Sequence, residues 1–186
     1  QQRLSRDFAT RFRELEASRH PDMNWREWTE LVVELAEWEV RLGLADEPGL
    51  SEALRTLQES LRAEFARFIE RHYAGWLRGS RADRPPLSVD IVPEFVEPAF
   101  RQHGKALLVV VDCLRLDQWE AIRPLFSTRF DVGTSYYFSI VPTSTPFART
   151  VRADCSSRVT SRRRWRSAAS LWVELPEDRG VSFCAS

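Results

Sequence analysis

Asp112 and Thr145 are the residues whose types and positions could do chemistry together. An apolar run, residues 106–111, leads directly into Asp112, as a buried parallel strand does when it delivers a carboxylate to a sheet edge. A second β-rich run, 136–141, is stopped by a proline, and Thr145 follows beside a proline suited to the first helical position. Two neighbouring strand ends would then bring one carboxylate and one hydroxyl to a common crevice.

A carboxylate and an alcohol in one crevice point to metal-assisted attack on a phosphorus or sulfur centre. A threonine hydroxyl is a poor nucleophile at neutral pH, and a bound divalent ion lowers its pKa and aligns it with the reacting atom. Asp112 is a hard oxygen ligand for such an ion. Arg149, four residues after Thr145, falls one helical turn along the same face, where it can grip a phosphate or pair with Asp112. The simpler alternatives are that Asp112 forms a turn and Thr145 caps a helix.

The first 79 residues predict a bundle of three amphipathic helices. The first covers residues 3–19. The second begins at the N-cap Asn24, with Glu27 completing a capping box, and stops at Gly43. Ser51 is expected to cap the third helix, which fades near Gly79. The apolar positions recur at three- and four-residue steps and predict the core: Leu4, Phe8, Phe12, Leu15, Trp25, Trp28, Leu31, Val32, Leu35, Trp38, Leu42, Leu54, Leu57, Leu61, Phe65, Phe68, Ile69 and Trp76.

A different pattern follows a linker at residues 80–88, which is rich in Arg and Pro. Residues 87–92 favour an edge strand, and 93–104 an irregular or short helical connection. After the buried strand that ends at Asp112, residues 116–126 favour a crossover helix that Pro124 shortens or bends. Its inward side chains are expected to be Trp119, Ile122 and Leu125. Strand, helix and strand in this order predict an α/β domain with a mostly parallel sheet, so the chain has two parts.

Charge and composition exclude several classes of protein. The chain has 186 residues, with 27 basic and 27 acidic side chains that cancel, so there is no global field for nucleic acid or an anionic membrane. No run approaches the length of a membrane span. The three cysteines, Cys113, Cys155 and Cys184, are odd in number and their spacing fits neither a disulfide framework nor a zinc knuckle. A reducing, cytoplasmic location is expected.

The two motifs together resemble the opening of a PglZ domain, a branch of the alkaline phosphatase superfamily. They are VVVDCLRLDQW and YYFSIVPTSTPFAR. The preceding helices and the connector PPLSVDIVPEFVEP resemble PorX-type response regulators, in which a receiver domain, a helical bundle and a PglZ domain follow one another. The resemblance covers residues 1–149. It implies metal-dependent hydrolysis of a phosphoester, perhaps a nucleotide phosphodiester, with zinc as the usual ion. It makes Asp112 a metal ligand, and Thr145 both metal ligand and nucleophile.

The chain departs from that family after Arg149. The family takes further Asp and His ligands from later in the domain, but His20, His72 and His103 all lie upstream of Thr145. Residues 150–169 have poor apolar periodicity and many Ser and Arg residues, which suggests out-of-frame translation. The expectation is that residues 89–186 are the start of a PglZ domain whose metal site is incomplete, in an inactive fragment that lacks an upstream receiver.

Two alternatives to the hydrolase come from other classes of protein. One is a non-catalytic signalling module, in which the helical bundle couples a receiver to an effector and forms a homodimer. The other is an Arg-dependent nucleic-acid binder that uses Arg162–Arg164, which is disfavoured because a solvated loop or a translation artefact explains those residues better.

Overall fold

The computed structural model describes residues 2–105, 107–111, 114–140, 173–174 and 181–184. These residues fall into two compact units that divide between Arg84 and Pro85. The first unit contains three α-helices: α1 (Gln2–Ser18), α2 (Trp25–Ala45) and α3 (Pro48–Arg78). A short 3-10 turn, Arg81–Asp83, follows α3.

Aromatic and leucine side chains form the core of the first unit, as the apolar periodicity predicts. Phe8 of α1 meets the ring of Trp38 edge-on, with centroids 5.2 Å apart. Trp28 of α2 contacts Phe65 and Phe68 of α3 at 5.3 and 5.9 Å. The fully buried Leu42 lies at the other end of α2. Edge-to-face ring pairs are a favoured aromatic geometry. The three helices are therefore held together by specific ring contacts as well as by the burial of apolar surface. Val32 is a wrong prediction, because 44% of it is exposed.

Two helix boundaries differ from the prediction. Helix α2 does not stop at Gly43: it continues to Ala45 and ends at Asp46, whose φ of 52° is left-handed. Aspartate tolerates this conformation better than most residues with a Cβ, so it can end a helix as glycine does. Helix α3 begins before Ser51, at Pro48, because proline suits the first turn of a helix. The Ser51 hydroxyl instead donates to the Glu47 carbonyl at 2.9 Å.

The second unit begins with tight helical turns. A 3-10 turn (Ser88–Asp90) and a π-helical turn (Val92–Val96) lead into α4 (Glu97–His103). The predicted edge strand at 87–92 is therefore wrong, whereas the short helical connection at 93–104 is confirmed. The Asp90 carboxylate accepts a hydrogen bond from the backbone N–H of Leu87 at 2.7 Å, which stabilises the turn in place of a strand.

The remaining elements of the second unit are four strands and one helix. They are β1 (Leu107–Val110), α5 (Leu116–Ser127), β2 (Gly133–Thr134), β3 (Val173–Glu174) and β4 (Val181–Cys184). Strand β1 pairs in parallel with β4, from Leu107 opposite Val181 to Val110 opposite Cys184. Strand β2 pairs antiparallel with β3. These described strands form two pairs and do not amount to the mostly parallel sheet of an alkaline-phosphatase-like domain.

Helix α5 confirms the predicted crossover helix but not all of its inward side chains. Trp119 is fully buried, and Ile122 packs against it. Leu125 is a wrong prediction, since 70% of it is exposed. The helix runs through Pro124 to Ser127 rather than stopping there. Leu107 of β1 is 54% exposed, so β1 is not buried along its whole length.

None of the helices that the structure describes is long and apolar enough to cross a lipid bilayer.

Candidate functional site

The strand that leads to Asp112 is present. Strand β1 ends at Val110, two residues before Asp112, and α5 begins four residues after it. Strand β1 pairs in parallel with β4, and in parallel sheets ligands bind beyond the carboxyl ends of the strands. Asp112, Thr145 and Arg149, the three predicted site residues, lie outside the described residues, and so does Cys113.

The run that leads to Thr145 is described up to Ile140, and it is not a regular strand. Its single bridge joins Phe138 to Leu87 in parallel. The Phe138 N–H donates to the Pro86 carbonyl at 2.8 Å, and the Ser88 N–H donates to the Phe138 carbonyl at 3.1 Å. The Ile140 N–H then donates to the Ser88 hydroxyl oxygen at 3.1 Å. We call residues 86–90 the clamp, because they hold the chain five residues before Thr145.

The sequence predictions missed the clamp. Ser88 and Asp90 were both assigned to an edge strand, although both are buried in the structure. The signal that could have found them is a serine two residues before an aspartate, separated by one leucine from two prolines. Short polar side chains in that position bond to nearby backbone and compete with strand pairing.

The start of α5 carries a strong ion pair. The Arg115 guanidinium donates from Nε to Oδ1 of Asp117 at 2.9 Å. These hydrogen bonds hold the pKa of the Asp117 carboxyl below its usual range, despite partial burial that acts the other way. The Arg115 N–H also donates to Oε1 of Gln118 at 3.0 Å. Arg115 occupies the N-cap position of α5, and Asp117 lies in its first turn.

Two buried polar groups lie further along α5. The Glu120 side chain is 4% exposed and pairs with Arg123. The indole N–H of Trp119 is buried and has no hydrogen-bond partner among the residues that the structure describes. Buried carboxylates are normally paired, whereas a buried N–H without an acceptor is uncommon and costs stability.

The histidines do not gather into a metal site. His20 is half-exposed and lies 3.6 Å from a Glu27 carboxylate oxygen. His72 stacks near Phe68 and Trp76 in the first unit. His103 ends α4. Within the described part of the chain, no three His, Cys, Asp or Glu side chains are close enough to hold a metal ion.

The polar contacts of the first unit join its helices to one another. Arg11 of α1 donates from Nη2 to Oε2 of Glu34 on α2 at 2.7 Å, and from Nη1 to Glu14 at 2.8 Å. Its hydrogen bonds lower the pKa of Glu34, and the two carboxylates raise the pKa of Arg11. Arg19, just after α1, pairs with Glu64 on α3. The sequence does not reveal these pairs, because charges that meet across helices have no fixed sequence spacing.

The three-helix bundle is the part of the chain that matches a known family. Residues 1–77 match the family model of the PorX response regulator linker domain. The matched range contains α1, α2 and nearly all of α3, and this match suggests that the bundle comes from a two-component signalling protein. No match is found among curated proteins. We call residues 1–77 the linker unit below.

Proposed function

We propose that the linker unit couples a receiver domain to the second unit in a two-component signalling protein. The observation that carries this proposal is the family match over residues 1–77, which coincides with the three-helix bundle. Cross-helix ion pairs and ring contacts make such a bundle a stiff connection, and a stiff connection can pass a displacement from one end to the other. The receiver would lie in the same polypeptide, upstream.

We further propose that the second unit belongs to a metal-dependent phosphoester hydrolase of the PglZ type. The resemblance of the Asp112 and Thr145 motifs supports this proposal, together with β1 ending just before Asp112 and the parallel pairing of β1 with β4. Carboxylate and hydroxyl oxygens suit a hard divalent ion. Zinc bound there would supply Lewis-acid activation of a nucleophile.

Each predicted residue has a distinct task in this proposal. Asp112 would hold the ion through its carboxylate, and Thr145 would hold it through the hydroxyl that serves as nucleophile toward the phosphorus of the substrate. Arg149 would bind a phosphate oxygen, since a guanidinium offers two parallel donors to such a group. Because the further ligands of the family have no counterpart among the histidines of this chain, we expect weak zinc binding and little turnover.

Zinc binding tests the hydrolase proposal most simply. Isothermal titration calorimetry of the chain with zinc should show at least a tenfold weaker affinity for Asp112→Asn and for Thr145→Ala, because each variant removes a ligand. Asp117→Asn is the matched control for the first variant, because its carboxylate is held by Arg115, and it should bind as the unaltered protein does. Equal affinity in Asp112→Asn and the unaltered protein would remove the hydrolase proposal and leave the signalling one.

The non-catalytic alternative remains a proposal of its own. In it the linker unit dimerises, and the second unit transmits a signal without chemistry. Light scattering over a hundredfold range of protein concentration tests it: a shift from monomer to dimer mass supports dimerisation, and a constant monomer mass rejects it.

A further inference from the structure

Helix α1 lies against α2 through two adjoining contacts. The Phe8 ring meets the Trp38 ring edge-on, and Arg11 donates from Nη2 to Oε2 of Glu34 at 2.7 Å. Glu34 and Trp38 are joined to each other as well, because the indole N–H of Trp38 donates to Oε1 of Glu34 at 3.4 Å. Residues four apart share a helix face, so both contacts fall on one patch of α2 that is a single helical turn long.

The helical state of α1 depends on this docking. Among the residues of α1 that the structure describes, two are buried, Phe8 and Leu15, whereas α2 buries six. The last turn of α1 contains Glu16, whose negative charge is unfavourable at a helix C-terminus. The side chains of Arg11 and Glu34 are 45% and 24% exposed, so their ion pair contributes modestly. A helix with these features owes most of its stability to packing, and α1 packs over a small area.

The hairpin formed by α2 and α3, and the connection from α1 to it, have contacts of their own. Trp28 of α2 packs on two phenylalanine rings of α3. The connection is attached to α3 at two points: Arg19 pairs with Glu64, and Arg71 donates from Nη2 to the Pro21 carbonyl at 3.2 Å. Helix α1 can therefore leave its patch while the connection stays in place.

We propose that α1 is a releasable strap, which leaves the α2–α3 hairpin as one unit while the hairpin stays folded. Native proteins open in this way where an element buries few side chains, at a lower free energy than global unfolding. Release uncovers the Trp38 ring and frees the Glu34 carboxylate, so the linker unit has two arrangements. An element with two arrangements is what a signal can bias, and the hairpin is then the stiff part of the linker unit. The inference goes beyond both proposed functions, and its test depends on neither.

The test compares two arginine variants of the whole chain. Arg11→Gln removes the ion pair between α1 and α2 and keeps a long polar side chain. Arg55→Gln is the matched control, because Arg55 is also an exposed arginine, and it bonds to Glu52 and Glu59 of its own helix. The readout is amide hydrogen exchange followed by NMR, in urea concentrations well below the unfolding midpoint.

We expect the Phe8 and Leu15 amides of α1 to have equal protection from exchange, at least about tenfold lower than that of Leu57 and Leu61 in α3. The protection of α1 should also depend less on urea, because releasing one helix exposes less surface than global unfolding. Arg11→Gln should lower the protection of α1 about threefold, as the loss of a partly exposed ion pair does, and Arg55→Gln should leave it unaltered.

Three results would overturn the inference. Equal protection and equal urea dependence in α1 and α3 would mean that α1 opens only when the whole bundle unfolds. Protection that is lower at Phe8 than at Leu15 would mean that α1 frays from one end instead of leaving as a unit. An α1 protection that Arg11→Gln leaves unaltered would mean that the contact with Glu34 does not hold the strap.

Discussion

At the scale of single residues, the Arg11–Glu34 pair sets how the stability of the linker unit responds to pH. Hydrogen bonds from Arg11 lower the pKa of Glu34, so the native state binds fewer protons than the unfolded chain at moderately acid pH. The stabilisation is fully present above the unfolded pKa of about 4.3 and is lost as the pH falls through the lower native pKa.

Glu34→Gln should therefore be less stable than the unaltered protein near neutral pH, and the difference should shrink as the pH falls toward about 3. Urea unfolding followed by circular dichroism at several pH values measures this difference. Glu16→Gln is the control, because Glu16 is an exposed carboxylate of α1, and its difference from the unaltered protein should stay small throughout. A loss of unfolding free energy in Glu34→Gln that does not change with pH would contradict this role of the Arg11–Glu34 pair.

Asn24 is the second residue whose contribution can be measured directly. Its side-chain oxygen accepts from the N–H groups of Arg26 and Glu27 at 2.8 and 3.2 Å, and Oε2 of Glu27 accepts from the Asn24 N–H at 2.6 Å. Asn24→Ala should cost about 1 kcal/mol of unfolding free energy, because it leaves helix N–H groups without acceptors.

The matched variant Asn24→Asp keeps an acceptor oxygen at the same position and should lose only a few tenths of a kcal/mol. Urea denaturation of both variants under one condition compares them. Equal losses for alanine and aspartate would show that the cap does not contribute as the structure indicates.

At the scale of elements, the end of α3 contrasts two glycines four residues apart. A Cβ on Gly75 would meet no atom within 4 Å, whereas a Cβ on Gly79 would lie 2.9 Å from the Gly75 carbonyl oxygen. Gly79, the C-cap residue of α3, also donates its N–H to that oxygen at 2.8 Å.

Gly75→Ala should therefore stabilise the linker unit by about 0.5–1 kcal/mol, since alanine favours a helix and restricts the unfolded chain. Gly79→Ala should destabilise it, because the new methyl group must displace backbone. Thermal unfolding of the two variants gives the sign of each stability change. A stabilising effect of Gly79→Ala would contradict the close approach of residue 79 to the Gly75 carbonyl oxygen.

The elements also show why sequence patterns predicted some features and missed others. The capping box at Asn24 and the aromatic stripe of α2 were predictable, because both depend on contacts within about one helical turn or on a repeated apolar period. The end of α2 at Asp46 was not, since a left-handed aspartate substitutes for the glycine that the pattern favours. The strand predicted at 87–92 was wrong because the hydrogen bond from the Leu87 N–H to the Asp90 carboxylate stabilises a turn. The β propensity of the individual residues carries no information about that hydrogen bond.

At the scale of the whole molecule, the two units differ in how far their sequences determine their roles. The linker unit has periodic helices, a family match and cross-helix ion pairs that agree with one another. In the second unit, the proposed metal ligands were inferred from strand ends and from a resemblance. Long-range placement of two strand ends depends on the sheet between them, and no local pattern specifies that placement.

The proposed hydrolase function requires Asp112 and Thr145 to share one divalent ion. Anomalous diffraction at the zinc edge, from crystals grown with zinc, locates the ion directly. The proposed function predicts one zinc peak in contact with both the Asp112 carboxylate and the Thr145 hydroxyl. Asp112 and Thr145 on opposite faces of the second unit, or separated by packed core, would contradict the account.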